Sequence, residues 1–189
     1  ITGSSNTATA SSTIGTFATG KTAGTPFSFT LHGDTHPERL GKMYNPDLYK
    51  VTLTNVANQK PDFHILLGDD FSIDPLIQKG NATAANVDAV YKAHRSFLSI
   101  VCSVASVFLV NGNHEQAASY LLDGSANNPA IYAGKARNKF FPLPETNSFY
   151  SADSENIPNL GLARDYYSWT WGDALFITLD PYWHSSTEI

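Results

Sequence analysis

Three short groups of polar residues carry the side chains that metal-dependent catalysis uses, and a glycine opens each group. The groups are Gly33-Asp34-Thr35-His36, Gly68-Asp69-Asp70 and Gly112-Asn113-His114-Glu115. This mixture of carboxylate, amide and imidazole side chains suits Zn, Mn or Fe better than Ca. The carboxylate of Asp69 can bridge two ions, and the imidazole of His114 can serve as a ligand or as a proton donor. These residue types therefore fit a metal-binding site.

Each group directly follows an apolar, strand-like stretch, and two helical patterns separate the three stretches. The predicted strands are 27–31, 63–67 and 106–110, and the predicted helices are 46–58 and 84–101. Alternating strands and helices predict βαβ units and a largely parallel sheet. Side chains that follow the carboxyl ends of such strands converge on one crevice. We therefore expect the three groups to meet in space.

Each group alone has an ordinary explanation. A surface loop explains Asp34 and His36, turn chemistry explains Gly68-Asp69, and Asn113 is an acceptable helix cap. All three in this order, each directly after an apolar strand, are hard to obtain from turn chemistry alone. The combination favours a functional site.

The rest of the chain falls into three kinds of segment. Residues 1–26, rich in Ser, Thr, Gly and Ala, read as a linker or as the end of an upstream β-sandwich domain. Residues 27–189 are predicted to form the catalytic domain. Within it, 124–164 reads as a long irregular insertion, and the apolar runs 166–171 and 174–179 predict a β-hairpin.

Composition restricts the classes of protein that fit. The chain has 189 residues, which is enough for one domain, and its net charge of −5 without a basic run argues against binding of duplex nucleic acid. The single cysteine, Cys102, excludes an intrachain disulfide and a thiolate zinc cluster, and its apolar neighbours predict burial. No apolar stretch is long enough to span a bilayer.

The three groups together resemble the motifs of the calcineurin-like metallophosphoesterases. The resemblance implies a four-layer αββα sandwich, in which helices flank mixed β-sheets, and a centre of two divalent or trivalent ions (Zn, Mn or Fe). It implies that Asp34, His36 and Asp69 bind the first ion and that Asp69 and Asn113 bind the second. It assigns His114 as the acid that protonates the leaving group.

Among subgroups, the chain is most similar to secreted members of the alkaline phosphatase D and purple acid phosphatase type, which implies a secreted or periplasmic protein. Ser72 replaces the metal-binding Tyr of purple acid phosphatases and the Asp with which protein phosphatases orient the catalytic His. The orienting partner of His114 is therefore open, with Asp70 and Asp74 nearby. The later histidine ligands of the family are absent, so we expect only the N-terminal part of the full domain here, with the remaining ligands beyond Ile189.

The resemblance implies a phosphomonoesterase or phosphodiesterase that acts on a phosphorylated small molecule or a nucleotide. Candidate substrate contacts are Arg39, Asn113 and His184. Two alternatives remain: a non-catalytic binding or structural module with a vestigial metal site, and a nuclease of the same superfamily that acts on single strands. The sequence leaves the metal, the substrate and the oligomeric state open.

Overall fold

The computed structural model describes residues 2–5, 8–11, 14–116 and 120–182. Its strands are β1 (Thr2–Ser5), β2 (Ala8–Ser11), β3 (Phe29–His32), β4 (Phe63–Leu66), β5 (Ser106–Leu109), β6 (Tyr150–Ala152), β7 (Asn156–Ile157), β8 (Gly161–Leu162), β9 (Tyr167–Trp171) and β10 (Ala174–Thr178). Its helices are α1 (Pro46–Gln59), α2 (Asp74–Gln78), α3 (Ala84–Cys102), α4 (Asn113–Gln116) and α5 (Pro129–Phe140), with a 3-10 helix at Pro37–Arg39. The fold is mixed α/β, as predicted.

A parallel sheet of strand order β3-β4-β5 positions the three polar groups. The central strand β4 is buried along its whole length. The antiparallel sheet formed by β6, β9 and β10 covers one of its faces, and helices cover the other. One polar group follows the end of each of the three strands, with at most two residues between them. The three predicted strands are confirmed, with ends that differ by one or two residues.

Helices α1 and α3 are confirmed close to their predicted bounds, and each begins at a side-chain cap. The carboxamide oxygen of Asn45 accepts hydrogen bonds from two backbone N–H groups of the first turn of α1, and Pro46 occupies the first helical position. The hydroxyl of Thr83 caps α3 by accepting one hydrogen bond, from the Asn86 N–H. The buried stripe of α3, at three- and four-residue spacing, packs the helix onto the core. It consists of Val87, Tyr91, His94, Leu98 and Val101.

The predicted hairpin is also confirmed, as strands β9 and β10 of an antiparallel sheet of order β10-β9-β6. Aromatic side chains join this sheet to the parallel one. The rings of Phe108 and Trp169 stack with centroids 4.1 Å apart, and the centroids of Phe63 and Trp171 are 4.9 Å apart. Such pairs contribute about 0.5–1.5 kcal/mol each beyond the area they bury. The two sheets therefore pack face to face.

The prediction of a long irregular insertion over residues 124–164 is wrong. Helix α5 occupies twelve of these residues and packs against α3, and the short strands β6, β7 and β8 follow it. Its buried face is made mainly of alanine and glycine, which give little hydrophobic contrast in the sequence. The signals that could have revealed the helix are Asn128, whose side chain caps it, and Pro129 at its first position.

The prediction of a buried Cys102 is also wrong, since this last residue of α3 is exposed. Residues upstream of β3 contact the body of the domain: Thr16 N–H donates to the Ser103 carbonyl, and the Lys21 carbonyl accepts from Gly172 N–H. Whether residues 1–26 end an upstream domain stays a prediction. No helix in the described ranges has the length and apolar character needed to cross a membrane.

Candidate metal centre

Backbone hydrogen bonds tie the first polar group to the second. The Asp34 N–H donates to the Gly68 carbonyl at 2.9 Å, and the His36 N–H donates to the Asp69 carbonyl at 3.0 Å. Because β3 and β4 are parallel neighbours, the loops that leave their carboxyl ends run side by side. The side chains of both loops are thereby directed to the same edge of the sheet.

Three of the candidate ligands have left-handed backbone conformations. Their φ angles are 59° for Asp34, 45° for His36 and 58° for Asp69. A non-glycine residue is uncommon in this region, since Cβ crowds the following carbonyl at a cost of roughly 1–2 kcal/mol. Strain of this kind collects at functional sites, where the surrounding contacts impose it.

The side chains of these three residues converge. His36 Nε2 lies 3.7 Å from Asp34 Oδ1 and 3.7 Å from Asp69 Oδ2. Ligands about 2.0–2.2 Å from a shared ion would need to approach one another only slightly more closely. Two carboxylates and an imidazole at this spacing fit a divalent ion such as Zn or Mn. The structure thus brings together three of the four predicted metal ligands.

Two glycines allow the second and third groups to approach closely. A Cβ added to Gly68 would lie 2.1 Å from the Gly112 backbone nitrogen, and a Cβ added to Gly112 would lie 2.3 Å from Asp69 Oδ1. No other residue type fits at either position without movement of the backbone. The glycines that precede Asp69 and Asn113 are therefore a condition for the geometry of the site.

Glu115 joins the second and third loops, and its role was missed in the sequence. Its buried carboxylate accepts hydrogen bonds of 2.6–2.9 Å from the backbone N–H groups of four residues. These residues are Asp69, Asp70, Phe71 and Gly112. Burial raises the pKa of Glu115, and the backbone donors act in the opposite direction. The only sequence signal was its position next to His114.

Asn113 and His114 begin helix α4, beside Asp69. The backbone N–H of His114 donates to Asp69 Oδ1 at 2.9 Å, which places Asn113 next to the predicted bridging carboxylate. The imidazole Nδ1 of His114 lies 2.8 Å from Asp74 Oδ2 and only at the 3.5 Å limit from Ser72 Oγ. Asp74 is therefore the orienting partner that the sequence left open. The ring centroids of His36 and His114 are 4.7 Å apart.

Asp70, the other candidate for that role, belongs to a buried polar network behind the site. Its Oδ1 accepts from the Thr35 hydroxyl at 2.7 Å and lies 3.7 Å from His32 and 3.9 Å from His94. His64 extends the network through a 2.7 Å contact with His32. Burial lowers the pKa of His32 and His64 to about 4 and that of His94 to about 3. These imidazoles are neutral near pH 7.

Two predicted substrate contacts lie elsewhere or outside the described residues. Arg39 ends the 3-10 helix after His36, where its Nε lies 3.4 Å from Glu38 Oε1 and its Nη1 lies 3.1 Å from Met43 Sδ. A contact between Arg39 and phosphate stays a prediction. His184 lies outside the described residues.

The comparison with protein families agrees with this geometry. The family model described as calcineurin-like phosphoesterase matches residues 27–182, which include all three polar groups. No curated protein and no solved structure matches the chain significantly. Proteins of this family are diverse metal-dependent phosphoester hydrolases that typically use divalent ions. With most of its length matched, the chain belongs to the calcineurin-like phosphoesterase family.

Proposed function

We propose that the chain hydrolyses phosphate esters at a dinuclear metal centre. Asp34, His36 and Asp69 hold the first ion, and Asp69 and Asn113 contribute to the second. The observation that carries the proposal is the convergence of His36 Nε2 with the carboxylates of Asp34 and Asp69, at 3.7 Å from each. The strained backbone at all three residues supports it, because packing alone does not explain such strain.

His114 acts as the general acid in this proposal. The carboxylate of Asp74 can only accept a hydrogen bond, so Nδ1 of His114 carries a proton and the ring is fixed in orientation. In its protonated form, an imidazole held in this way can donate a proton from Nε2 to the leaving oxygen. When bound, the two ions supply positive charge to the phosphoryl oxygens and promote ionisation of water near neutral pH.

The proposed substrate is a phosphorylated small molecule or a nucleotide. Asn113 is the first residue of α4 beside Asp69, where its amide can contact a phosphoryl oxygen. Arg39 follows His36 closely in the chain, and its side chain is 37% exposed, so that its guanidinium can reach a second phosphoryl oxygen. Neither contact separates a phosphomonoester from a phosphodiester.

We propose the four-layer αββα sandwich as the architecture of the domain. Helices pack on the outer side of the parallel sheet, and the antiparallel sheet covers its other side. Leu175 and Ile177 point away from this interface and are 63% and 62% exposed. A further layer of helices would cover both side chains. An experimental structure of the protein isolated from its source tests this, and open solvent over both residues would contradict it.

The function is tested by single substitutions with two measurements, metal content by elemental analysis and turnover of chromogenic phosphomonoesters and phosphodiesters. Asp69→Asn is expected to lower metal content and abolish turnover, because a bridging carboxylate is lost. His114→Asn is expected to retain most of the metal and to slow turnover by about 10²–10⁴-fold. Asp47→Asn, at a carboxylate that is 89% exposed, is the matched control and should behave like the unmodified protein.

Unmodified protein that binds no metal and turns over neither substrate would contradict the proposal. Unmodified rates in both site variants would contradict the residue assignment. A strong preference for single-stranded nucleic acid over the chromogenic substrates would show that the protein is a nuclease and that its substrate is not a small molecule.

A further inference from the structure

Glu38 contacts the candidate metal centre, although the sequence did not indicate it as part of the site. Its Oε1 lies 2.8 Å from Nδ1 of His36. An ionised carboxylate has no proton to give, so Nδ1 of His36 must be the donor. A proton on Nδ1 leaves Nε2 of the neutral ring with a free lone pair, which is the form that binds a metal ion.

The opposite side of the same ring faces the other ligands. Nε2 of His36 is the atom that lies 3.7 Å from the carboxylates of both Asp34 and Asp69. Glu38 and the metal centre therefore lie on opposite nitrogens of one imidazole. This is the arrangement in which a carboxylate orients a metal-binding histidine from behind.

The packing of Glu38 gives no other reason for a carboxylate at this position. Its side chain is only 12% exposed, and its second oxygen, Oε2, is buried without a hydrogen-bond partner among the described residues. Arg39 is a partial partner, since its Nε lies 3.4 Å from Oε1. Burial of an incompletely paired carboxylate destabilises a fold, so the stability of the fold does not explain the residue.

We infer that Glu38 is a positioning residue that fixes the tautomer and the orientation of His36, so that Nε2 is presented to the first metal ion. The inference rests on the proposed function, because it takes His36 as a metal ligand. Loss of a partner of this kind typically lowers metal affinity by about 10–100-fold.

The competing assignment is that Glu38 is itself a metal ligand. Ligand atoms of His36, Glu38 and His114 all lie within 4.8 Å of one another, so the geometry permits it. The two assignments differ for Glu38→Gln. The glutamine carbonyl still accepts a hydrogen bond from Nδ1 and preserves the positioning role, whereas a neutral amide is a poor replacement for a carboxylate that binds an ion.

The first experiment uses metal-free protein and long-range ¹H–¹⁵N NMR of the imidazole nitrogens at pH 8. His36 is expected to be the Nδ1–H tautomer in the unmodified protein and in Glu38→Gln, and to shift toward Nε2–H in Glu38→Ala. Glu145→Ala removes a 61% exposed glutamate and is the matched control, which should keep the Nδ1–H tautomer. An unchanged tautomer in Glu38→Ala would overturn the inference.

The second experiment is calorimetric titration of the same four proteins with Zn²⁺. Glu38→Ala is expected to bind the ion about 10–100-fold more weakly, and Glu38→Gln should recover most of this loss. If Glu38→Gln binds as weakly as Glu38→Ala, Glu38 is a ligand and the positioning role is wrong. Absence of Zn²⁺ binding by the unmodified protein would contradict the proposed function. The tautomer measurement tests the contact of Glu38 with His36 independently of metal binding.

Discussion

At the scale of single residues, two histidines of the site are each held by a carboxylate at Nδ1. Asp74 contacts Nδ1 of His114 and Glu38 contacts Nδ1 of His36, both at 2.8 Å. The two rings have different proposed tasks, proton donation and metal binding, and both tasks use Nε2. A carboxylate at Nδ1 therefore serves either chemistry, and the surroundings of Nε2 decide which one occurs.

The contact of Asp74 with His114 gives a prediction for turnover. In Asp74→Ala, His114 loses its orienting acceptor, and we expect turnover to fall by about 10–100-fold with metal content unchanged. Ser72→Ala is the control, because it removes two long contacts, 3.5 Å to His114 and 3.4 Å from the Asp74 N–H, but keeps the Asp74 carboxylate, and it should stay close to the unmodified rate. Steady-state kinetics and elemental analysis measure both quantities. Equal rates for Asp74→Ala and Ser72→Ala would show that Asp74 has no part in the reaction.

The left-handed conformation of Asp34 gives a second prediction, for stability. Glycine adopts φ near 59° freely, and the Asp34 side chain is 81% exposed, so Asp34→Gly loses little packing. We expect metal-free Asp34→Gly to be more stable than the unmodified protein by roughly 0.5–1 kcal/mol, because the relief of strain exceeds the added freedom of the unfolded chain. Its affinity for Zn²⁺ should fall. Urea unfolding checks the stability, and a lower unfolding free energy would contradict the account of strain.

At the scale of elements, the site depends on the contact between the loops that follow β4 and β5. The carboxylate of Glu115 accepts hydrogen bonds from backbone N–H groups of both loops. Gly68 and Gly112 allow the two loops to come into contact. The loops are therefore held together by hydrogen bonds from the main chain to the Glu115 carboxylate and to Asp69 Oδ1, while Asp69 Oδ2 still faces His36 Nε2.

Substitution of Gly68 measures this loop contact. Gly68→Ala combines a positive φ of 100° with a Cβ placed 2.1 Å from the Gly112 nitrogen. Gly80→Ala is the control, since φ is 66° there and nothing lies within 4 Å of the added Cβ. We expect Gly80→Ala to lose about 1–2 kcal/mol of unfolding free energy, and Gly68→Ala about 2–5 kcal/mol together with metal binding. Similar urea midpoints for the two variants would show that the added Cβ of Gly68→Ala does not clash with the Gly112 nitrogen.

The elements that the sequence predicted share strong apolar periodicity. Strands β4 and β5 and helices α1 and α3 bury aliphatic and aromatic side chains. Strand β3 shows the alternation, but its Phe29 and Leu31 are 41% and 54% exposed. Helix α5 was missed because alanine and glycine form most of its buried face, which suits close helix packing but gives little contrast with its exposed face.

The candidate ligands were predictable for a related reason. Asp34, Asp69 and Asn113 lie two to four positions beyond the ends of neighbouring strands, so strand order alone brings them near one another. Glu38 and Glu115 were assigned no partner in the sequence, and Asp74 was only one of two candidates for His114, because these contacts depend on how loops fold back on one another. Nothing in the local spacing of Glu115 indicates that it accepts four backbone hydrogen bonds.

At the scale of the whole molecule, buried imidazoles make stability depend on pH. His94 is 3% exposed, contacts the Tyr49 hydroxyl at 3.3 Å and lies 3.9 Å from Asp70. Burial lowers its pKa to about 3, so the folded protein holds His94 neutral at pH values where the unfolded chain protonates it. The unfolded state then binds more protons, and the contribution of His94 to stability falls as the pH drops below about 6.5.

His94→Phe tests this dependence, because phenylalanine fits among the neighbouring rings of Phe71 and Phe97 and does not titrate. The variant should be less stable than the unmodified protein near pH 7, where the bond to Tyr49 is lost. Between about pH 6.5 and pH 4 the difference should shrink by about 1.4 kcal/mol per pH unit, and it can reverse in sign. Urea unfolding across this range measures it. Parallel stability curves would contradict a neutral, buried His94.

The close approach of Gly68 to Gly112, together with the hydrogen bonds of buried Glu115, has a consequence for protein engineering. A designer who transfers only the metal-ligand side chains onto another parallel sheet would leave out the glycines and the glutamate that hold the two loops together. The smallest portable unit contains both glycines and the glutamate. Homologues that alter one loop should therefore carry compensating changes in the other, a pattern of paired variation that an alignment can reveal.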